Sequence, residues 1–454
     1  MEEYLPSMPA SSIKKLCDEF EKYNHIDPEL FETYHVKRGL RNSDGTGVMA
    51  GLTLICNVHG YLLNEGEKMP IDGELIYRGI NVKDIVAGCR NDNRFGFEEV
   101  IWLLIFGHLP NAQQLEFFRG LLGEMRELPE YFTEDVLMKA PSPNIMNKMG
   151  RAVLALYTYD KNAEDNSIEN LLSQSVRLIA KMPTLMVHAY QVKRRNFDHD
   201  TMFFHPLDRN HSTAESILST MRPDRKFTDE EAKLLDLCLI LHAEHGGGNN
   251  STFACRALSS TGTDTYSAIS AAIGSLKGPR HGGANIKVME MMDCIKSGVK
   301  DWTNEDEISE FLVRILKKEE GDHSGLIYGM GHAVYTISDP RAVILKQSVE
   351  KLAEKSELID EFKLMERIER LAPEAYAAVK NNDKRICANV DFYSGMVYKM
   401  LDFPPDLFTP LFAVARIPGW CAHRIEELTT GKRIMRPAYK AVSLSQDYTS
   451  ISGR

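Results

Sequence analysis

Three stretches of the chain set a histidine beside glycines: LHAEHGGGNNS (241–251), KGPRHGGAN (277–285) and GMGHAVY (329–335). Glycine permits positive φ and lets backbone approach a ligand closely, which makes His245, His281 and His332 candidates for hydrogen-bonding a substrate. A fourth stretch, RICANVDFYSGMVYKML (385–401), places Asp391 between Val390 and Phe392. This aspartate reads in two ways. It is either the N-cap of the helix that follows, or a partly desolvated carboxylate whose raised pKa suits proton abstraction near neutral pH. Histidines and an aspartate without a nucleophilic serine point to proton removal beside a carbonyl, and Arg341, Arg416, Arg433 and Arg436 offer cations for an anionic co-substrate.

Other chemistries fit less well. His242 and His245 could share a helical face toward a metal, but the Glu-x-x-His or cysteine partners of such a site are missing. GMGHAV lacks the third glycine and the βαβ setting of a dinucleotide fingerprint, and no GxxxxGK(S/T) occurs. A net charge of −10 argues against nucleic-acid binding. The eight cysteines are scattered singly, as reduced packing thiols would be. No apolar run approaches the length of a membrane span, and the N-terminal residues mix acids with bases, unlike a targeting peptide, so the expected location is the cytoplasm.

The elements that must position these residues read as mainly α. Residues 50–80 carry strand and turn signals, with short β-branched or aromatic runs broken by HG, NEG and DG. Residues 97–128 read as an αα-hairpin whose first helix ends at GHLP and whose second begins near Asn111. Apolar spacing of three and four predicts further helices at 146–158, 166–182, 229–243, 264–276, 285–297, 305–318, 341–355, 358–379, 393–401 and 407–427. Pattern alone marks no domain boundary.

GPRHGGAN, GHAVY with DPR, and NVDFYSG, in that order, resemble the active-site segments of the citrate synthase family. YRGINVKDI (77–85), FEEVIWLLIFGHLP (97–110), AKMPTLMVHAY (180–190), LHAEHGGGNNSTFACR (241–256) and MRP (435–437) extend the likeness over residues 70–440. The resemblance implies a two-domain helical fold with a small β element near the N-terminus. A large domain would span 1–284 and 396–454, and a small one 285–395. It also implies a homodimer that condenses an acyl-CoA with oxaloacetate, without metal or redox cofactor. By motif position Asp391 would take the α-proton of the thioester, His281 would bond the thioester oxygen, and His332 would polarise the ketone. Oxaloacetate would be held by His245, Arg341 and Arg416, with Arg436 reaching across from the partner subunit.

Coenzyme A recognition departs from the family pattern. Many relatives carry a cation four residues after the second catalytic histidine, where this chain has Thr336. Arg280, beside His281, could supply the charge, with Gly329 and Gly331 giving backbone access; Lys193, Arg194 and Arg195 are further candidates, though a solvated basic cluster also explains that run. Three rivals accompany this reading: a 2-methylcitrate synthase using propionyl-CoA; a catalytically silent binding relative, which would be expected to lack one of His281, His332 and Asp391; and a metal-dependent hydrolase built on His242 and His245.

Overall fold

The computed structural model describes residues 8–65, 67–354, 356–381 and 385–453, and the chain divides at Gly51 into two compact units. The first carries α1 (Ala10–Tyr23), the short α2 (Glu29–Thr33) and a 3-10 turn at Arg38–Leu40. α1 buries none of its residues and leaves Ile13, Leu16, Phe20 and Tyr23 exposed.

The second unit opens on the small sheet expected at 50–80. Strand β1 (Cys56–Asn64) pairs antiparallel with β2 (Glu67–Tyr77), which pairs with β3 (Ile80–Asn81). Two expected breaks are corrected: His59–Gly60 lies inside β1 and Asp72–Gly73 inside β2, with a register shift between His59 and Tyr61. Glycine within a strand marks close backbone approach as well as turns. Gly66 of the NEG turn lies outside the described residues.

Helices follow. α3 (Val82–Asn91) precedes the expected hairpin of α4 (Phe97–Phe106) and α5 (Ala112–Glu124). Gly107 ends α4 at a φ of 85°, and Asn111 forms a capping box with Gln114. Next come α6 (Ile145–Leu156), α7 (Ile168–Lys193), α8 (Thr213–Met221), α9 (Asp229–His242), α10 (Asn250–Ser259) and α11 (Thr265–Lys277). α7 does not stop at 182 but runs through the buried Pro183. Tertiary packing of a long buried helix outweighs the one hydrogen bond that proline removes. Helices α1, α2, α3, α8 and α10 are additions to those the apolar spacing predicts.

The chain continues through α12 (Ala284–Gly298), α13 (Glu305–Leu316), α14 (Pro340–Ala353), α15 (Ile359–Lys380) and α16 (Val390–Met400) to α17 (Phe408–Thr430). Lys355, at the end of one predicted helix, lies outside the described residues. α13 packs on α15, and both α12 and α14 pack on α16. α16 is continuous across 395/396, where the family resemblance implies the edge of the small domain.

α17 is the central helix. Every residue from Phe408 to Arg424 is buried, against α4, α7, α9, α10 and α11 among others. A helix buried all round belongs to a core, yet this one carries Arg416, His423 and Arg424 inward. Among the described residues no helix is long and apolar enough to cross a membrane. The eight cysteines are unbridged.

Candidate active site

Asp391 is not a cap. α16 begins at Val390, and Asn389 is its N-cap, accepting the N–H of Asp391 at 3.0 Å. Both residue types cap well, and the helix starting earlier than predicted decides which does. The Asp391 carboxylate is left for other work: Oδ1 is buried with no hydrogen-bond partner among the described residues. Burial, with the negative charge of Asp339, pushes its pKa up to about 7 against the opposing pull of Arg341 and Arg416.

Asn389 also fixes the loop that carries His332. Its N–H donates to Gly329 O at 2.8 Å and its side-chain amide to Gly331 O at 2.9 Å, while Gly331 N–H donates to Cys387 O at 2.7 Å. Gly329 and Gly331 take φ of 76° and 94°, and a Cβ on Gly329 would meet Phe392 at 2.8 Å. The two glycines therefore shape the loop and seat it against α16. The segment before Asp391 and the loop of His332 form one hydrogen-bonded piece.

His332 Nδ1 accepts the N–H groups of Val334 and Tyr335 at 3.1 and 3.2 Å. A nitrogen that accepts carries no proton, so the neutral ring bears its proton on Nε2 and is a donor there. His245, in the loop after α9, meets His332 edge to face with centroids 5.0 Å apart. Burial, with the charge of Arg341, holds the pKa of His245 well below the usual value. His281 lies in the turn between α11 and α12, its Nε2 3.1 Å from both Asn249 Oδ1 and Ser251 Oγ. Burial, helped by Arg416, pushes its pKa down to about 4. His245 and His281 are therefore neutral hydrogen-bonding groups at physiological pH.

Two buried guanidinium groups complete the cluster. Arg341, in the first turn of α14, is 3% exposed and paired with Asp339. Burial alone would lower its pKa, but Asp339 raises it instead. Arg416 is fully buried on α17, donates from Nε to His242 O at 2.5 Å, and has no partner for Nη1 or Nη2 among the described residues. Leaving a buried cation unpaired costs several kcal/mol, on the order of 3–5. Such a group calls for an anion, and a guanidinium fork matches a carboxylate.

Behind Arg416 lies an ion chain that motif reading did not find. His423 and Glu244 are wholly buried, with His423 Nε2 3.0 Å from Glu244 Oε1. Arg256 Nη1 is 2.7 Å from His423 Nδ1 and 2.8 Å from Glu426 Oε2. A guanidinium can only donate, so Nδ1 accepts and Nε2–H donates to Glu244. Burial would raise the Glu244 pKa, but His423 and Arg416 hold it below the usual range. Gly419 makes room for this carboxylate, since a Cβ there would lie 2.1 Å from Glu244 Oε2.

Asp339 was also missed, although an aspartate directly before a proline is a recognisable N-cap signal, and it caps α14 through the N–H of Arg341. The remaining candidates lie elsewhere. His242 packs against Phe412 with ring centroids 4.2 Å apart, and neither of its nitrogens has a partner among the described residues. Among those residues no three His, Cys, Asp or Glu side chains converge as metal ligands. Lys193 is paired with Asp198 and Asp406, and Arg194 with Asp200, so neither is a free cation. Arg195 and Arg280 are exposed. Thr336 Oγ1 is buried without a partner among the described residues. Arg433 and Arg436 are exposed on the tail after α17, and neither is ion-paired to a described residue.

The chain is similar to known proteins over most of its length. The family model for citrate synthase, C-terminal domain, matches residues 44–438. The citrate synthase of Synechocystis is 36% identical over 91% of this chain and 91% of its own length. The 2-methylcitrate synthase of Shewanella oneidensis is 33% identical over 84% of this chain and 90% of its own. Among solved structures, citrate synthase from the archaeon Thermoplasma acidophilum, in ternary complex with carboxymethyl coenzyme A and oxaloacetate, superposes with a TM-score of 0.74 at 27% identity. That match covers 92% of this chain and 99% of the other. With the family model spanning most of the chain and these motifs converging in one buried cluster, the chain belongs to the citrate synthase family.

Proposed function

We propose that this enzyme condenses acetyl-CoA with oxaloacetate and water, giving citrate and free CoA. The observation that carries the reading is Arg416: a fully buried guanidinium with two unpartnered nitrogens, in a cluster with neutral histidines and a carboxyl held near neutrality. Arg341 and Arg416 bind the carboxylates of oxaloacetate, and His245 adds a hydrogen bond. Arg436 enters from the partner subunit of a homodimer.

Asp391 takes a proton from the methyl carbon of the thioester, and His281 hydrogen-bonds the thioester oxygen as it gains enolate charge. The carbon then attacks the ketone carbon of oxaloacetate while His332 gives its Nε2 proton to the new alkoxide. Water cleaves the resulting thioester and releases CoA. A carboxylate is a weak base for such a carbon acid, so oriented donors at both oxygens carry much of the barrier reduction. The two rings suit that task, and no metal or redox cofactor enters. Arg280, Gly329 and Gly331 contact CoA.

Residues 285–395 act as a small domain that closes over bound oxaloacetate. Because α16 continues to Met400, the hinge proposed on that side lies a few residues beyond 395, at the turn of Leu401 and Asp402, where Asp402 has a φ of 58°. The enzyme works in the cytoplasm. A pocket separates acyl chains that differ by one methylene by only about 1–3 kcal/mol, so kcat/KM for acetyl-CoA and propionyl-CoA is the deciving comparison for the acyl group. A higher value for acetyl-CoA is expected, and a large propionyl preference would make this a 2-methylcitrate synthase.

A further inference from the structure

Tyr335 follows His332 by three residues and is fully buried. Its ring stacks on His332 with centroids 4.6 Å apart and planes at 23°. It also meets His245 edge-on at 5.7 Å and lies 6.0 Å from the guanidinium carbon of Arg341. Three groups assigned above to oxaloacetate thus share one aromatic wall.

That wall is held from its far side by the β1–β2 ribbon. Tyr335 donates its hydroxyl to Glu74 O on β2 at 3.2 Å. A Cβ on Gly73 would lie 2.2 Å from Ser338 O and 2.6 Å from Tyr335 Cδ1, and one on Gly60 would lie 2.8 Å from Val334 O and 3.2 Å from Tyr335 Cδ1. Gly73 N–H donates to Ser338 O at 3.1 Å, and Ser338 donates its hydroxyl to Asp72 Oδ1 at 2.8 Å. The HG and DG pairs are therefore where the ribbon is cut away to admit the ring and the loop behind it.

We propose that Tyr335 is a positioning residue for the oxaloacetate site, its ring setting the tilt of His332 and His245 and the ribbon fixing the ring. The inference rests on the functional reading above. Tyr335 acts through its neighbours: it presents an apolar face to two imidazoles and so limits their rotation. Small misplacements of such groups reduce both binding and turnover.

The test is steady-state kinetics of wild type, Tyr335→Phe, Tyr335→Leu and Gly73→Ala, with circular dichroism to confirm folding. Tyr335→Leu is expected to raise KM for oxaloacetate about tenfold or more and to lower kcat, while KM for acetyl-CoA changes less than about twofold. Tyr335→Phe, which keeps the ring, is expected to stay within about threefold of wild type, and Gly73→Ala to shift in the same direction as Leu. Should Tyr335→Leu fail to fold, Gly73→Ala decides. An unchanged oxaloacetate KM in the folded Leu variant, or in Gly73→Ala when Leu does not fold, overturns the inference. So does a Phe variant as impaired as Leu. A wild type without oxaloacetate-dependent CoA release overturns the functional reading and this inference with it, whereas an active wild type with insensitive variants overturns the inference alone.

Discussion

Asp339 holds Arg341 by two side-chain hydrogen bonds, from Nε at 3.0 Å and from Nη2 at 2.8 Å. The oxygen bound to Nη2 also accepts the N–H of Val390 at 3.2 Å, so one carboxylate fixes both a guanidinium and the start of the helix bearing Asp391. Asp339→Asn keeps the shape but leaves Arg341 buried without its counter-charge. Breaking such a pair is expected to cost about 3–5 kcal/mol, seen as a lower denaturation midpoint in urea. Oxaloacetate KM should rise with it. An unchanged midpoint would mean that Arg341 finds another anion.

Asp391→Ala removes the proposed base and leaves the arginines in place. Condensation should fall by about 10²–10⁴-fold, while oxaloacetate binding measured by calorimetry persists. Near-wild-type turnover would take Asp391 out of the mechanism.

The pKa of Asp391, pushed up to about 7 by burial, sets a pH dependence. The ionised form is the base, so kcat/KM should rise with pH through about 7 and level off above it. Stability runs the other way. The folded carboxyl keeps its proton up to about 7, whereas an unfolded one loses it near about 4, so the native state binds more protons in between and loses stability as pH rises through that window. Asp391→Asn should therefore melt higher than wild type near pH 8 and at nearly the same temperature below about pH 4. Identical melting temperatures near pH 8 would contradict the buried-carboxyl account. His281, already neutral above about 4, should add no limb near neutrality.

His281, His332 and Asp391 are legible in the sequence because a polar residue beside glycines or inside an apolar run is a local anomaly. What holds them is not local. Asn389 and Asp391 are both good caps, and only the start of α16, set by packing, shows which one caps. The run of α7 through Pro183, beyond the predicted end at 182, exists because burial outweighs a local break. Gly60 and Gly73 look like turn residues until Tyr335 and Ser338 are seen against them. The unpartnered fork of Arg416 likewise depends on where α9 ends relative to α17, a distance the sequence does not encode locally.

Arg436 is exposed on the C-terminal tail, where it is proposed to reach the partner subunit's site. Arg436→Ala and Asp391→Ala chains, each impaired alone, should regain activity when unfolded together and refolded. A mixed dimer would have one site with both Asp391 and a partner's Arg436. Activity no greater than the sum of the separate variants would place Arg436 in its own subunit's site or outside the mechanism.

The most direct test mixes the purified protein with acetyl-CoA, with and without oxaloacetate, and follows free thiol and products together. The account predicts one CoA thiol released per citrate formed, and only when oxaloacetate is present. Thiol release independent of oxaloacetate, or no carbon–carbon bond formation with either acetyl-CoA or propionyl-CoA, would contradict it.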